Sequence, residues 1–74
     1  MNQLKIGIAG LGRLGKIHAN NLAFRIPGCT LTAACSLMQS ELDYARSELG
    51  VQDLYLDFDE MLVNADIDAV AIVT

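Results

Sequence analysis

Three glycines near the start of the chain stand at the spacing G-x-G-x-x-G: Gly10, Gly12 and Gly15. An apolar segment at 4–9 runs directly into them, and a segment with helical spacing follows. In such a strand–turn–helix context, the first glycine permits a tight turn and the second leaves room for a pyrophosphate beside the backbone. The third lets the helix pack close to the sheet. The pattern therefore predicts a dinucleotide-binding turn.

The backbone of the residues after the second glycine is predicted to contribute to the same turn. The amides of Arg13 and Leu14 open the helix, where the positive end of the helix dipole attracts phosphate groups. The alternative is that the glycines only ease the passage from strand to helix and bind no ligand.

A second anchor for a dinucleotide is expected about 20 residues further on, as an Asp or Glu that binds the ribose hydroxyls. Ser36 occupies that position, 21 residues beyond Gly15. A carboxylate there would repel the 2′-phosphate of NADP, whereas a hydroxyl can hydrogen-bond either cofactor. A strict NADP site would also need Arg or Lys nearby, and Leu37 and Met38 provide neither. We therefore predict NAD as the cofactor, with NADP possible, unless Ser36 only ends a strand and begins a turn.

The other residues of chemical interest are predicted to be structural. No partner in the sequence makes His18 a catalytic residue, and we expect it to pack near the sheet or to hydrogen-bond a neighbouring loop. Tyr44 and Tyr55 are expected to pack. The acidic residues of the second half fit helix caps and solvated loop ends, without the spacing of a calcium loop. The chain is therefore predicted to contain no catalytic residue and no metal site.

The glycine turn needs strands and helices to position it, and the chain alternates between the two. Strands are predicted at 4–9, 31–35, 54–56 and 69–74, and helices at 13–24, 40–49 and 57–64. Capping boxes that begin at Ser40 and Asp57 are expected to open the second and third helices, and Gly50 to end the second. A stripe of Leu14, Ile17 and Leu22 is expected to be buried on the first helix.

The order βαβαβαβ with short links predicts an α/β fold. It is a Rossmann-type doubly wound parallel sheet, incomplete, with strand order 3-2-1-4. The ligand crevice is expected at the carboxyl ends of the first and fourth strands. We expect residues 1–74 to be the N-terminal part of a dinucleotide-binding Rossmann domain, with its remainder and a C-terminal substrate domain outside this chain. The fourth strand would then be an uncovered apolar edge, so the isolated chain is expected to be marginally stable or prone to aggregate.

Composition and charge exclude several classes of function. No apolar stretch reaches the roughly 18–20 residues of a membrane span. Residues 1–40 have a net charge of +4 and residues 41–74 one of −8, so the positive half contains the glycines, as a polyanionic ligand would favour. Four basic residues without interleaved aromatics make no nucleic-acid-binding stripe. Cys29 and Cys35 would lie about 20 Å apart along one strand, which predicts free thiols in a reducing cytoplasm.

Two longer motifs resemble those of a known family. The glycine turn and the start of the following segment 16–22 read G-x-G-x-x-G-x-x-H, which ends at His18, and 67–74 reads I-D-A-V-x-I-x-T. Together they resemble the N-terminal cofactor domain of the glucose–fructose oxidoreductase/inositol dehydrogenase (Gfo/Idh/MocA) family over essentially all 74 residues. The segment 33–37, ahead of 41–45, is most similar to the inositol 2-dehydrogenase-like branch.

The resemblance implies an NAD(P)-dependent dehydrogenase that oxidises a secondary hydroxyl of a sugar, inositol or related polyol and passes hydride to the nicotinamide. We also expect a homo-oligomer of the full-length protein, with no nucleic-acid or membrane partner. The family's Glu-Lys-Pro motif and its catalytic lysine, aspartate and histidine match no residue here, so the chain alone is expected to be inactive. The implied cofactor contacts are the pyrophosphate turn at Gly10, Gly12, Arg13 and Leu14, the adenosine ribose position at Ser36 and the nicotinamide side at Thr74.

A second hypothesis comes from a different class of protein. The same turn could serve a non-catalytic NAD(H)-binding module that senses the redox state. A substrate domain after the Rossmann domain would favour the enzyme, and a DNA-binding or regulatory segment would favour the sensor.

Overall fold

The computed structural model of the chain describes residues 3–73. Four strands in this part form one parallel sheet in the order β3-β2-β1-β4, with a helix between each consecutive pair. The predicted fold class and strand order are confirmed. The elements in chain order are β1 Leu4–Ala9, α1 Arg13–Phe24, β2 Cys29–Cys35, α2 Gln39–Leu49, β3 Asp53–Tyr55, α3 Phe58–Asn64 and β4 Ala69–Ile72.

Most element bounds agree with the sequence prediction to within two residues. The bounds of β1 and α1 are as predicted. Strand β2 begins two residues earlier, because Cys29 and Thr30 already pair with Leu4 and Lys5 of β1. Gly50 ends α2 in the left-handed conformation with φ 72°, which glycine adopts without steric cost and which confirms its predicted role.

Helices cover both faces of the sheet. Helices α1 and α2 pack on one face, over a core that includes Ile8 and Ala34. Helix α3 packs on the other face, where Met61 contacts Ala33 and Cys35. Because residues of one strand alternate between the faces, neighbours such as Ala33 and Ala34 belong to different cores. Because all four strands are parallel, their carboxyl ends lie together at one edge of the sheet.

The buried face of α1 differs from the predicted stripe. Gly15 and Ala19 are buried, whereas the side chains of Leu14 and Ile17 are 54% and 55% exposed. The prediction is wrong for these two residues, although Leu22 does pack against the core. The reason is the short distance between α1 and the end of β1, which only a face of small residues permits.

The start of α2 also differs from the prediction, which placed a capping box at Ser40. The helix begins at Gln39 with Met38 as its N-cap, and the amides of Glu41 and Leu42 donate to the Met38 carbonyl. The helix has no side-chain cap, and the Ser36 hydroxyl accepts a hydrogen bond from the amide of Met38, just before the helix, at 3.1 Å. The predicted cap of α3 is confirmed, since the Asp57 carboxylate accepts from the Asp59 amide at 2.8 Å.

The edge strand β4 is attached to β1 by backbone and side-chain contacts. Lys5 and Asp68 bond twice, since the Lys5 amide donates to the Asp68 carboxylate at 2.8 Å and the Asp68 amide donates to the Lys5 carbonyl at 2.7 Å. Ile72 is 62% exposed at the edge. Both cysteines are free, as predicted. None of the helices between residues 3 and 73 combines the length and apolarity that a bilayer crossing requires.

Candidate cofactor-binding site

In the turn between β1 and α1, two glycines lie so close to backbone carbonyl oxygens that no other residue fits without a shift. Gly10 has φ 100°, and a Cβ there would collide with the Val73 carbonyl oxygen. A Cβ on Gly15 would collide in the same way with the Gly10 carbonyl oxygen. In both cases the distance from the added Cβ to the carbonyl oxygen would be below 3.0 Å, a separation that real Cβ atoms essentially never show. The first and third glycines of the motif therefore shape the turn and the helix contact, as the sequence predicts.

The second glycine has a different environment. Gly12 is the N-cap of α1, in extended conformation, and a Cβ there would meet no atom within 4 Å. Packing within the described chain thus does not require glycine at this position. The open space at Gly12 is what a ligand needs to approach the backbone closely.

The N-terminus of α1 is free to receive an anion. It has no side-chain cap and no acidic residue in its first turn, whereas the Asp57 carboxylate caps α3. The first hydrogen bond of α1 runs from the Lys16 amide to the Gly12 carbonyl at 2.8 Å. The amides before it, including those of Arg13 and Leu14, have no acceptor within the helix. Both residues are exposed at this end, so the turn fits a pyrophosphate.

A cleft of about 590 Å³ lies beside this turn, at the carboxyl ends of β1, β2 and β3. The sequence prediction placed the crevice at the carboxyl ends of β1 and β4, and this cleft includes the β1 end. On the β4 side, Val73 packs against Gly10 and its amide donates to the Ala9 carbonyl at 2.9 Å. Thr74, predicted on that side, lies outside the described residues. The cleft is lined by Gly10, Leu11, Gly12, Cys35, Ser36, Leu37, Met38, Glu41, Leu56, Asp57 and Phe58.

The walls of the cleft fit the nucleoside half of a dinucleotide. Leu37 is 88% exposed, Met38 58% and Leu56 52%, so three large apolar side chains stand at its margin. Apolar walls with a few polar groups are typical of small-molecule sites. An uncapped helix N-terminus, an open glycine and an apolar slot together fit NAD.

The side chain of Ser36 lies in this cleft and is 6% exposed. Its hydroxyl accepts from the Met38 amide at 3.1 Å and donates to the Glu41 carboxylate at 2.5 Å. The structure thus brings Ser36 together with the glycine turn, but with its proton already engaged. Glu41 is the cleft residue that sequence reasoning missed, because it was assigned to a capping box. The signal available was its position five residues after Ser36, within the first turn of the next helix.

The Cys35 thiol at the end of β2 is not an activated nucleophile. Burial raises the pKa of this thiol, and the nearby Asp57 carboxylate raises it further. The thiol therefore stays protonated and packs with Met61 under the cleft.

The remaining residues considered from the sequence lie away from the cleft. His18 is exposed on α1 rather than packed near the sheet. The Lys16 ammonium lies 5.0 Å from the centre of the Tyr44 ring, beside a separate depression between α1 and α2. The neighbouring Asp53 carboxylate raises the pKa of Tyr55, and burial contributes. Among residues 3–73, no three His, Cys, Asp or Glu side chains are arranged to hold a metal ion.

The chain matches a family model over residues 4–74, described as an oxidoreductase family with an NAD-binding Rossmann fold. Among curated proteins, it is 37% identical over 73 residues to scyllo-inositol 2-dehydrogenase (NAD(+)) of Bacillus subtilis (strain 168), which covers 99% of this chain and 21% of that protein. It is 36% identical over 69 residues to myo-inositol 2-dehydrogenase of Thermotoga maritima, with 93% of this chain and 20% of that protein covered. The chain therefore spans about a fifth of the length of these relatives.

Among solved structures, the chain is also similar to inositol dehydrogenases. Scyllo-inositol dehydrogenase from Lactobacillus casei, with bound cofactor NAD(H) and scyllo-inositol, superposes with a TM-score of 0.97 at 56% identity, covering 99% of this chain and 22% of that one. Myo-inositol 2-dehydrogenase from Lactobacillus plantarum superposes with a TM-score of 0.96 at 42% identity, covering 99% of this chain and 22% of that one.

Proposed function

Because this chain belongs to the Gfo/Idh/MocA oxidoreductase family, we propose that it binds NAD in an NAD-dependent polyol dehydrogenase. We further propose that it forms the N-terminal part of that enzyme's Rossmann domain, whose remainder and C-terminal substrate domain complete the full-length protein. The coverage of about a fifth of the relatives' length supports this division.

One observation carries the proposal. The turn at Gly10 and Gly12 leaves the N-terminus of α1 uncapped beside an open cleft. Backbone amides at a helix N-terminus bind phosphate, since each amide donates a hydrogen bond and the dipole favours negative charge. The amides near Gly12, Arg13 and Leu14 would hold the pyrophosphate, and Gly15 would keep the helix close enough to present them.

The rest of the cleft would hold the adenosine half, with Ser36 at the ribose position. The bound cofactor supplies the chemistry, because its nicotinamide ring accepts hydride from a carbon that bears a hydroxyl. Thr74, at the end of the 69–74 segment, would lie near the nicotinamide ribose. The groups that remove the substrate proton would come from the remainder of the full-length protein, so the chain alone would be inactive.

We propose inositols or related polyols as substrates. The relatives named as scyllo- and myo-inositol dehydrogenases support this class. The two free cysteines support a reducing, cytoplasmic location. Homo-oligomeric assembly of the full-length protein is part of the same proposal, and light scattering after size exclusion would test it.

The test is a two-stage assay of the full-length protein. In the first stage, NADH is titrated and binding is followed by nicotinamide fluorescence. In the second, NAD⁺ reduction is measured at 340 nm with scyllo-inositol, myo-inositol and a set of sugars. We expect NADH binding and turnover of at least one cyclitol. Binding without turnover of any polyol would favour the redox-sensing module, and no binding of either nicotinamide cofactor would refute the proposal.

A further inference from the structure

Ser36 stands where a ribose-binding acid is expected, but its hydroxyl has no proton to offer a ligand. A serine hydroxyl has one donor and two acceptor lone pairs. The donor is engaged with the Glu41 carboxylate at 2.5 Å, and one lone pair accepts the Met38 amide at 3.1 Å. One lone pair remains. Ser36 therefore cannot donate to a 2′-phosphate oxygen without breaking its bond to Glu41.

The Glu41 carboxylate, unlike the Ser36 hydroxyl, can accept more hydrogen bonds than it receives within the described residues. An ionised carboxylate accepts hydrogen bonds at about four lone-pair sites. Within residues 3–73, the Ser36 hydroxyl is the one donor bound to it. The side chain is half-buried and lines the same cleft as Gly10 and Gly12. It thus has spare acceptor capacity facing the space beside the glycine turn.

The charges around the cleft have one sign. Its ionised wall residues are Glu41 and Asp57, and no Lys or Arg lies among the described residues that line it. A 2′-phosphate here would meet a carboxylate at short range, with no cation among the described lining residues to offset the repulsion. Two ribose hydroxyls, by contrast, would donate to that carboxylate.

We propose that Glu41 is the adenosine-ribose acceptor of this domain and its determinant of NAD over NADP, with Ser36 as the residue that positions it. The acid that Rossmann domains place at the end of the second strand is supplied here from the first turn of α2. Ser36 ties the carboxylate back to the strand end. This inference rests on the proposed function and revises the expectation that NADP is possible.

The test compares dissociation constants for NADH and NADPH, measured by fluorescence on the full-length protein. Wild type is expected to bind NADH at least tenfold more tightly than NADPH. Glu41→Gln should weaken NADH binding about tenfold, since it removes the charge from hydrogen bonds with the ribose, and should reduce the preference for NADH at least tenfold. Glu41→Ala should also weaken NADH binding and reduce the preference for NADH. Unlike glutamine, alanine has no side-chain oxygen that could still accept a hydrogen bond from the ribose.

Two further variants separate charge from position. Ser36→Ala should weaken NADH binding a few-fold while NADPH stays excluded, because the carboxylate remains but is no longer held. Glu48→Gln removes the same charge from an exposed site on the same helix and should leave both constants unchanged. Circular dichroism of each variant verifies that it is folded.

The outcomes distinguish the two proposals. Tight NADH binding by wild type, with wild-type preference retained in both Glu41 variants, would overturn the role of Glu41 and leave the proposed function intact. Equal loss of preference in Glu48→Gln would also overturn it, since only the overall charge would then matter. A wild type that binds neither cofactor would overturn both.

Discussion

The carbonyl oxygen of Gly10 lies directly against the α carbon of Gly15, with no room for a Cβ between them. This contact joins the end of β1 to the first turn of α1. It sets the distance between strand and helix, and so the place where the helix amides meet the cleft.

Gly15→Ala should therefore destabilise the protein. The added methyl group would force the Gly10 carbonyl or the helix to move, and overpacking of this kind costs about 1–3 kcal/mol. Urea unfolding of the full-length protein, followed by circular dichroism, measures the loss. An unfolding midpoint equal to that of wild type would contradict the contact.

Gly12→Ala should leave stability nearly unchanged and instead weaken NADH binding. A Cβ at Gly12 meets open space within the chain, and its φ of −67° suits any residue, so the unfolding midpoint should change little. The methyl group would instead occupy the space beside the pyrophosphate, and NADH affinity should fall at least tenfold, or about 1.4 kcal/mol. Fluorescence titration measures this. Unchanged affinity would place the pyrophosphate elsewhere.

Asp57→Ala should weaken α3. The Asp57 carboxylate accepts from the Asp59 amide at 2.8 Å, and loss of an N-cap costs about 0.5–2 kcal/mol. Asp57→Asn is the matched control, because its amide oxygen can still accept, and it should retain most of the stability. Chemical denaturation of the two variants checks the difference, and an equal loss in both would assign the effect to charge.

Stability should fall in alkali partly through Cys35. Burial raises the pKa of this thiol in the folded protein, so the native state holds the proton more tightly than the unfolded chain. The contribution is complete below the ordinary thiol pKa of 9.0 and is lost as the pH rises through the higher folded value. Unfolding free energies at pH 7, 9 and 10 should decrease more steeply for wild type than for Cys35→Ala. Parallel decreases would exclude this role.

Asp66 and Asp68 should contribute differently to stability, although both contact Lys5. The Lys5–Asp66 ion pair at 2.6 Å joins side chains that are 48% and 88% exposed, and such pairs contribute about 0–1 kcal/mol. Asp68 accepts the Lys5 backbone amide at 2.8 Å and fixes the start of β4 beside β1. Asp68→Ala should therefore lower the unfolding midpoint more than Asp66→Ala. The reverse order in urea would show that the exposed pair matters more.

Features that depend on neighbours in sequence could be predicted well. The cap at Asp57, the left-handed Gly50 and the bounds of β1 and α1 follow from local backbone chemistry. The start of α2 could not be predicted in the same way. Ser40 has the residue type of an N-cap, but Ser36, at the end of β2, already hydrogen-bonds the Met38 amide and the Glu41 side chain.

The sequence alone determined the glycine turn, the alternation of strand and helix and the sheet order, because turn geometry, hydrophobic period and crossover handedness are properties of short segments. Only the tertiary structure decided which face of α1 is buried and which side chain presents its acid to the cleft. Leu14 and Ile17 have the apolar character of core residues, yet the close contact of Gly15 with Gly10 turns them outward. The Glu41 side chain is held at the cleft by its hydrogen bond to Ser36. The distance between these two side chains depends on how α2 packs against the sheet, and no local sequence pattern encodes that packing.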